Sequence, residues 1–140
     1  MRPKKIIFYA SGDEKEVSLM RFFLETNGYR FLSASSGREA IATFSSAHPD
    51  LALIDQVLPD MQGERLVEIL KQNSPHTPMA IIASGYPHLI SLFADGTFRK
   101  DCPHAEFLER IKVMSARKRG PRKGTQSPHK GIPRDQWVTA

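Results

Sequence analysis

Three short apolar runs constrain this chain more than any other feature: Ile6-Ile7-Phe8-Tyr9-Ala10, Leu51-Ala52-Leu53-Ile54-Asp55 and Met79-Ala80-Ile81-Ile82-Ala83. None alternates with polar residues, so each fits a strand buried on both faces. Helical spacing fills the gaps. Val17, Met20, Phe23 and Leu24 mark a helix over 13–27, with acids in its first turn, where they complement the helix dipole, and Asn27-Gly28 as its stop. Residues 29–35 alternate and read as a second strand. Ser36-Gly37-Arg38-Glu39 has capping-box form, with Ser36 as N-cap and Glu39 at N3, and Ala40, Ile41 and Phe44 continue that helix. Leu66, Val67, Ile69 and Leu70 mark a third helix ending near Asn73. Residues 88–95 are a short helix candidate and 97–100 a fifth strand. A last helix spans 103–115, with Phe107, Leu108, Ile111 and Met114 inward and Pro103 in its first turn.

Strands alternating with helices predict an α/β fold, a doubly wound five-stranded parallel sheet with helices on both faces. Ligands bind such sheets beyond the carboxyl ends of the strands, where the strand order switches. The residues at those ends are Ser11, Gly12 and Asp13, then Asp55, then Ala83 and Ser84, then Lys100.

Beyond Ser115 the character changes. From Ala116 onward seven Lys/Arg face one acid, a net of +6, whereas the rest carries 13 against 14, a net of −1. The expected organisation is a folded domain over 1–115 and a basic, unfolded tail over 116–140, whose Gly, Pro, Lys and Arg cannot bury enough surface to offset ordering entropy. The tail has two readings, a solvated extension or a nonspecific nucleic-acid contact driven by counterion release. No apolar run is long enough to insert into a membrane. The apolar stretch after Lys5 is too short for a secretory signal, and Cys102 is the single cysteine, so a cytoplasmic location is expected.

Asp55 is the first candidate for chemistry. A carboxylate at the mouth of a buried sheet costs desolvation energy unless a cation such as Lys100 faces it. A carboxylate also attacks phosphorus to give an aspartyl phosphate, provided the phosphoryl oxygens are neutralised.

Ile54-Asp55, Leu58-Pro59-Asp60-Met61-Gln62-Gly63, Ser84-Gly85-Tyr86 and Phe98-Arg99-Lys100, with the strand–helix alternation, resemble the receiver domain of two-component response regulators over roughly Lys4 to Met114. The resemblance implies a flavodoxin-like sheet and a signal-transducing role in a phosphorelay rather than an enzyme. Asp55 would be the phosphoacceptor, loaded by a histidine kinase or a histidine phosphotransfer protein. Lys100 would bind the phosphoryl group with a hydroxyl from Ser84, although counting from Pro78 places that position on Ala83. Without a fused output domain, action on a downstream protein target by contact is expected.

The chain departs from the family pattern in three places. The two acids that hold magnesium after strand one fall on Ser11 and Gly12, leaving Asp55 and Asp13 as ligands and predicting weak or absent Mg2+ binding. Lys100 is followed by Asp101, a competing carboxylate, instead of proline. The aromatic switch position falls on Thr97. The alternative reading is a phosphorylation-independent pseudo-receiver acting as a protein-interaction module, in which Asp55 is a strand-end carboxylate paired with Lys100. The cluster Met20, Phe22, Phe23 and Leu24 is read as core, with Phe22 available to a partner. A flavin-binding flavodoxin is disfavoured, because the loop 11–15 lacks a hydroxyl-rich phosphate cradle.

Overall fold

The computed structural model describes residues 3–83, 91 and 93–116. In chain order the elements are β1 (Ile6–Ala10), α1 (Glu14–Thr26), β2 (Arg30–Ala34), α2 (Gly37–Ala47), β3 (Leu51–Asp55), α3 (Gly63–Asn73), β4 (Met79–Ala83), β5 (Gly96–Arg99) and α4 (His104–Ser115). The strands form one parallel sheet in the order β2-β1-β3-β4-β5, so the order reverses between β1 and β3.

Alternate side chains of each strand point to opposite faces, and this splits the apolar interior into two slabs. Phe8, Ala10, Ala52, Ile54 and Ile81 face α2 and α3, where Phe44 meets Phe8 edge-on at 5.2 Å between centroids. Ile7, Tyr9, Leu51, Leu53 and Ile82 face α1 and α4, together with Phe98 and Phe107. Each fully buried Ile, Leu or Phe here contributes about 1.5–3 kcal/mol.

The helix ends follow local chemistry. Asp13 caps α1 by accepting the Lys15 and Glu16 N–H groups. After α1, Gly28 takes φ 91°, and this left-handed turn lets the Tyr29 N–H return to the Leu24 carbonyl at 3.0 Å. Ser36 caps α2 as expected, but the reciprocal bond lands one residue early. Glu39 accepts the Ser35 N–H at 2.7 Å and the Ser35 hydroxyl at 2.8 Å, and both bonds hold its carboxyl below the usual range.

Three boundaries differ from expectation. β5 begins and ends one residue earlier than predicted, because the Arg99 carbonyl accepts the Cys102 N–H at 3.0 Å and the chain turns over Lys100 and Asp101. Pro103 precedes α4 as its N-cap instead of occupying the first turn. The helix expected over 88–95 is not continued in its described residues. The Ser91 hydroxyl takes the Ala94 N–H at 2.9 Å, and Asp95 is drawn to the start of β4. The Ser84–Pro87 turn and the tail beyond Ala116 lie outside the described residues.

Candidate functional site

The carboxyl ends of β1 and β3 meet at the sheet's switch point, and both sequence candidates there are buried, Ser11 at 1% and Asp55 at 6% exposure. Ser11 stays in the ladder through its N–H to Ala34, and its hydroxyl accepts the Asp13 N–H at 3.1 Å. Gly12 is obligatory. A Cβ there would lie 2.5 Å from Cγ of Pro59, so the loop after Asp55 packs into the space a side chain would need.

Asp55 ends β3, and the chain then folds back sharply. Gln56 donates to Ile82 at 2.9 Å, Leu58 to Met61 at 2.9 Å and Gly63 to Gln56 at 2.7 Å. Gly63 sits where a Cβ would come within 2.2 Å of the Asp55 carbonyl oxygen, so α3 starts directly against the Asp55 backbone. Asp60, on this loop, reaches across to α2 and accepts the Gly37 and Arg38 N–H groups at 2.8 and 2.9 Å. Those two bonds, Gly37 first, hold the Asp60 carboxyl below its usual range.

Tyr9 makes the most direct contact with Asp55. Its hydroxyl donates to Oδ1 at 2.9 Å in a fully buried setting. Burial, reinforced by the Asp55 carboxylate, pushes that hydroxyl well above the normal tyrosine range, so it is a protonated donor throughout the physiological window. Asp55 Oδ2 receives no hydrogen bond from the described residues, and none of their buried polar side-chain atoms lacks a partner, so Oδ2 is open to solvent.

Asp13, Glu14, Asp55, Pro59 and Lys100 line one cleft of about 620 Å³. The carboxylate and the ammonium are thus brought together although 45 positions separate them in the chain. They are not ion-paired. Nor does Asp101 compete for Lys100, because it is held by Arg99, Nε to Oδ1 at 3.2 Å, on the exposed surface. Thr97 stands at the expected switch position. Its neighbour Phe98 is buried against Phe107 at 4.7 Å, on the α1 and α4 side. Ala83, the alternative to Ser84, ends β4 and carries no hydroxyl, while Ser84 lies outside the described residues.

Among the described residues no three His, Cys, Asp or Glu side chains converge as a metal-ligand group. Oδ1 of Asp13 is engaged in capping α1, Oδ1 of Asp55 binds Tyr9, and Gly12 offers no side chain. The carboxylates lining the cleft, Asp13, Glu14 and Asp55, are the side-chain oxygens on hand for a hard cation such as magnesium.

A model of the response regulator receiver domain matches residues 7–112. The chain belongs to that family. The receiver is 27% identical over 118 residues to the alkaline phosphatase synthesis transcriptional regulatory protein PhoP of Bacillus subtilis, a match covering 81% of this chain but 49% of PhoP. The chain therefore spans about half the length of that curated relative. Its fold is similar to a CheY-like receiver from Methanospirillum hungatei, with TM-score 0.74, 27% identity and coverage of 81% and 94% of the two chains. It is similar also to the response regulator TrrA of Thermotoga maritima in complex with Mg2+–BeF, with TM-score 0.72, 24% identity and coverage of 79% and 98%.

Two features of this receiver's site escaped the sequence reading. Tyr9 had a signal, the one polar tip in an otherwise apolar β1. Asp60 stood in the Leu58–Gly63 motif, but its capping of α2 had no signal, because its partners are 22 and 23 residues away.

Proposed function

We propose that Asp55 is the phosphoacceptor of this receiver and that Lys100 neutralises the incoming phosphoryl oxygens. The observation that carries the reading is the shared cleft, with Oδ2 of Asp55 open to solvent and Lys100 free of any carboxylate among the described residues. Ser84 is the proposed hydroxyl ligand. The donor is a histidine kinase or a histidine phosphotransfer protein, and its phosphoimidazole loses the phosphoryl group to Oδ2. Leu19 and Phe22, exposed on α1 at 66% and 72%, supply an apolar face for a partner protein. The reading places the receiver in the cytoplasm and its output in contact with a downstream protein.

Receiver domains typically bind Mg2+, but Ser11 and Gly12 support only weak binding here, centred on Asp55 and Asp13. The basic tail is proposed as a nonspecific nucleic-acid contact, secondary to signalling. Incubation with a small phosphodonor and magnesium, read by intact mass, tests the main reading. Wild type is expected to gain one phosphate, Asp55→Asn none, and Lys100→Ala to gain it more slowly. Equal behaviour of wild type and Asp55→Asn defeats it.

A further inference from the structure

We propose that Tyr9 is a positioning residue for phosphoryl transfer at Asp55, an inference that rests on Asp55 being the acceptor. The Tyr9 hydroxyl, 2.9 Å from Oδ1, fixes that oxygen as the hydrogen-bonded one and leaves Oδ2 to carry phosphorus. In the forward step the donor's P–N bond breaks as the Oδ2–P bond forms, and the departing nitrogen keeps the electron pair and takes a proton from solvent. In the hydrolytic step that ends the phosphorylated state a water oxygen bonds to phosphorus, the P–Oδ2 bond breaks, its electron pair returns to the carboxylate, and the water proton passes to solvent.

Tyr9 does not weigh equally on the two states. A hydrogen bond to an ionised acceptor is roughly twice as strong as one to a neutral acceptor. In the free state Oδ1 belongs to a carboxylate, and in the phosphorylated state it is the carbonyl oxygen of an acyl phosphate. Tyr9 therefore favours the return of charge to Asp55 and shortens the lifetime of the phosphoryl group. The donor is a neutral side chain, fixed by burial in β1 and by the ring of Phe31 at 6.4 Å between centroids.

The test uses the full chain, phosphoramidate as donor and intact mass as readout after the donor is removed. Tyr9→Phe keeps the ring and the fold, and its phosphoryl lifetime is expected to rise roughly three- to tenfold. The ultraviolet tyrosine band is expected to shift on phosphorylation of wild type and to lose that component in Tyr9→Phe. Phe31→Leu loosens the ring's packing but leaves the hydroxyl, so it is expected to lower stability with the lifetime within about twofold of wild type. An unchanged or shorter lifetime in Tyr9→Phe overturns the proposal and leaves the acceptor assignment standing. So does an equal lengthening in Phe31→Leu. A wild type that never gains phosphate overturns the acceptor assignment, and this inference with it.

Discussion

Gly12 and Pro59 occupy one another's space: a β-carbon on the glycine would stand 2.5 Å from Cγ of the proline. A carboxylate cannot be introduced at Gly12 by a single substitution without displacing the Pro59 ring, which yields little. Gly12→Asp alone is expected to cost about 1–3 kcal/mol, as overpacking does, and to bind Mg2+ no better than wild type. Gly12→Asp with Pro59→Ala opens the space, and with Ser11→Asp added is expected to raise Mg2+ affinity about tenfold or more. Urea unfolding and titration calorimetry check the two halves.

Gly63→Ala drives a methyl group into the Asp55 carbonyl oxygen, 2.2 Å from the ideal Cβ position. Neither the strand end nor the first turn of α3 can give without breaking the Gly63–Gln56 bond. A loss of about 3 kcal/mol or more is expected, together with slower phosphate uptake if Asp55 is the acceptor as proposed, because its backbone must shift. Thermal unfolding and intact mass follow the two effects.

Asp60 makes stability depend on acid. Its carboxyl titrates lower in the folded state than in the unfolded chain, so its contribution is complete above the ordinary carboxylate range and is lost as pH falls through the depressed value. Asp60→Ala is expected to melt a few degrees below wild type at neutral pH. The gap should close at strongly acid pH, where wild type has lost the same bonds. Melting curves across pH check it.

Lys71 and Asp95 tie the end of α3 to the start of β4. Their 2.8 Å pair is half sheltered, and each has a backbone partner: Lys71 donates to Thr77 and Asp95 accepts from Met79. Asp95→Ala strips the Met79 N–H of its acceptor and is expected to cost about 1–2 kcal/mol. Lys71→Met, which leaves that N–H satisfied, is expected to cost less. Chemical denaturation of the two variants gives the comparison.

Much of the fold was legible because its signals are local. The apolar runs at 6–10, 51–55 and 79–83 coincide with strands, and Ser36 caps α2 where its spacing placed it. Asp55 and Lys100 were legible because each ends or follows a strand, and parallel strands put those ends on one rim. The partners inside the site were not. That Tyr9 would reach Asp55, that Asp101 would choose Arg99, and that Asp60 would cap α2 depend on side-chain directions set by packing, which chain spacing does not encode.

The Tyr9–Asp55 bond also acts as an alignment pin. Sliding β1 by one residue would exchange Tyr9 for Phe8 or Ala10 on the α1 side and send the phenol into the apolar slab under α2, away from its bond to Asp55. The hydroxyl thereby adds to the register preference of β1 that its apolar pattern already sets. The atom that contacts the Asp55 carboxylate also favours a single alignment of the sheet.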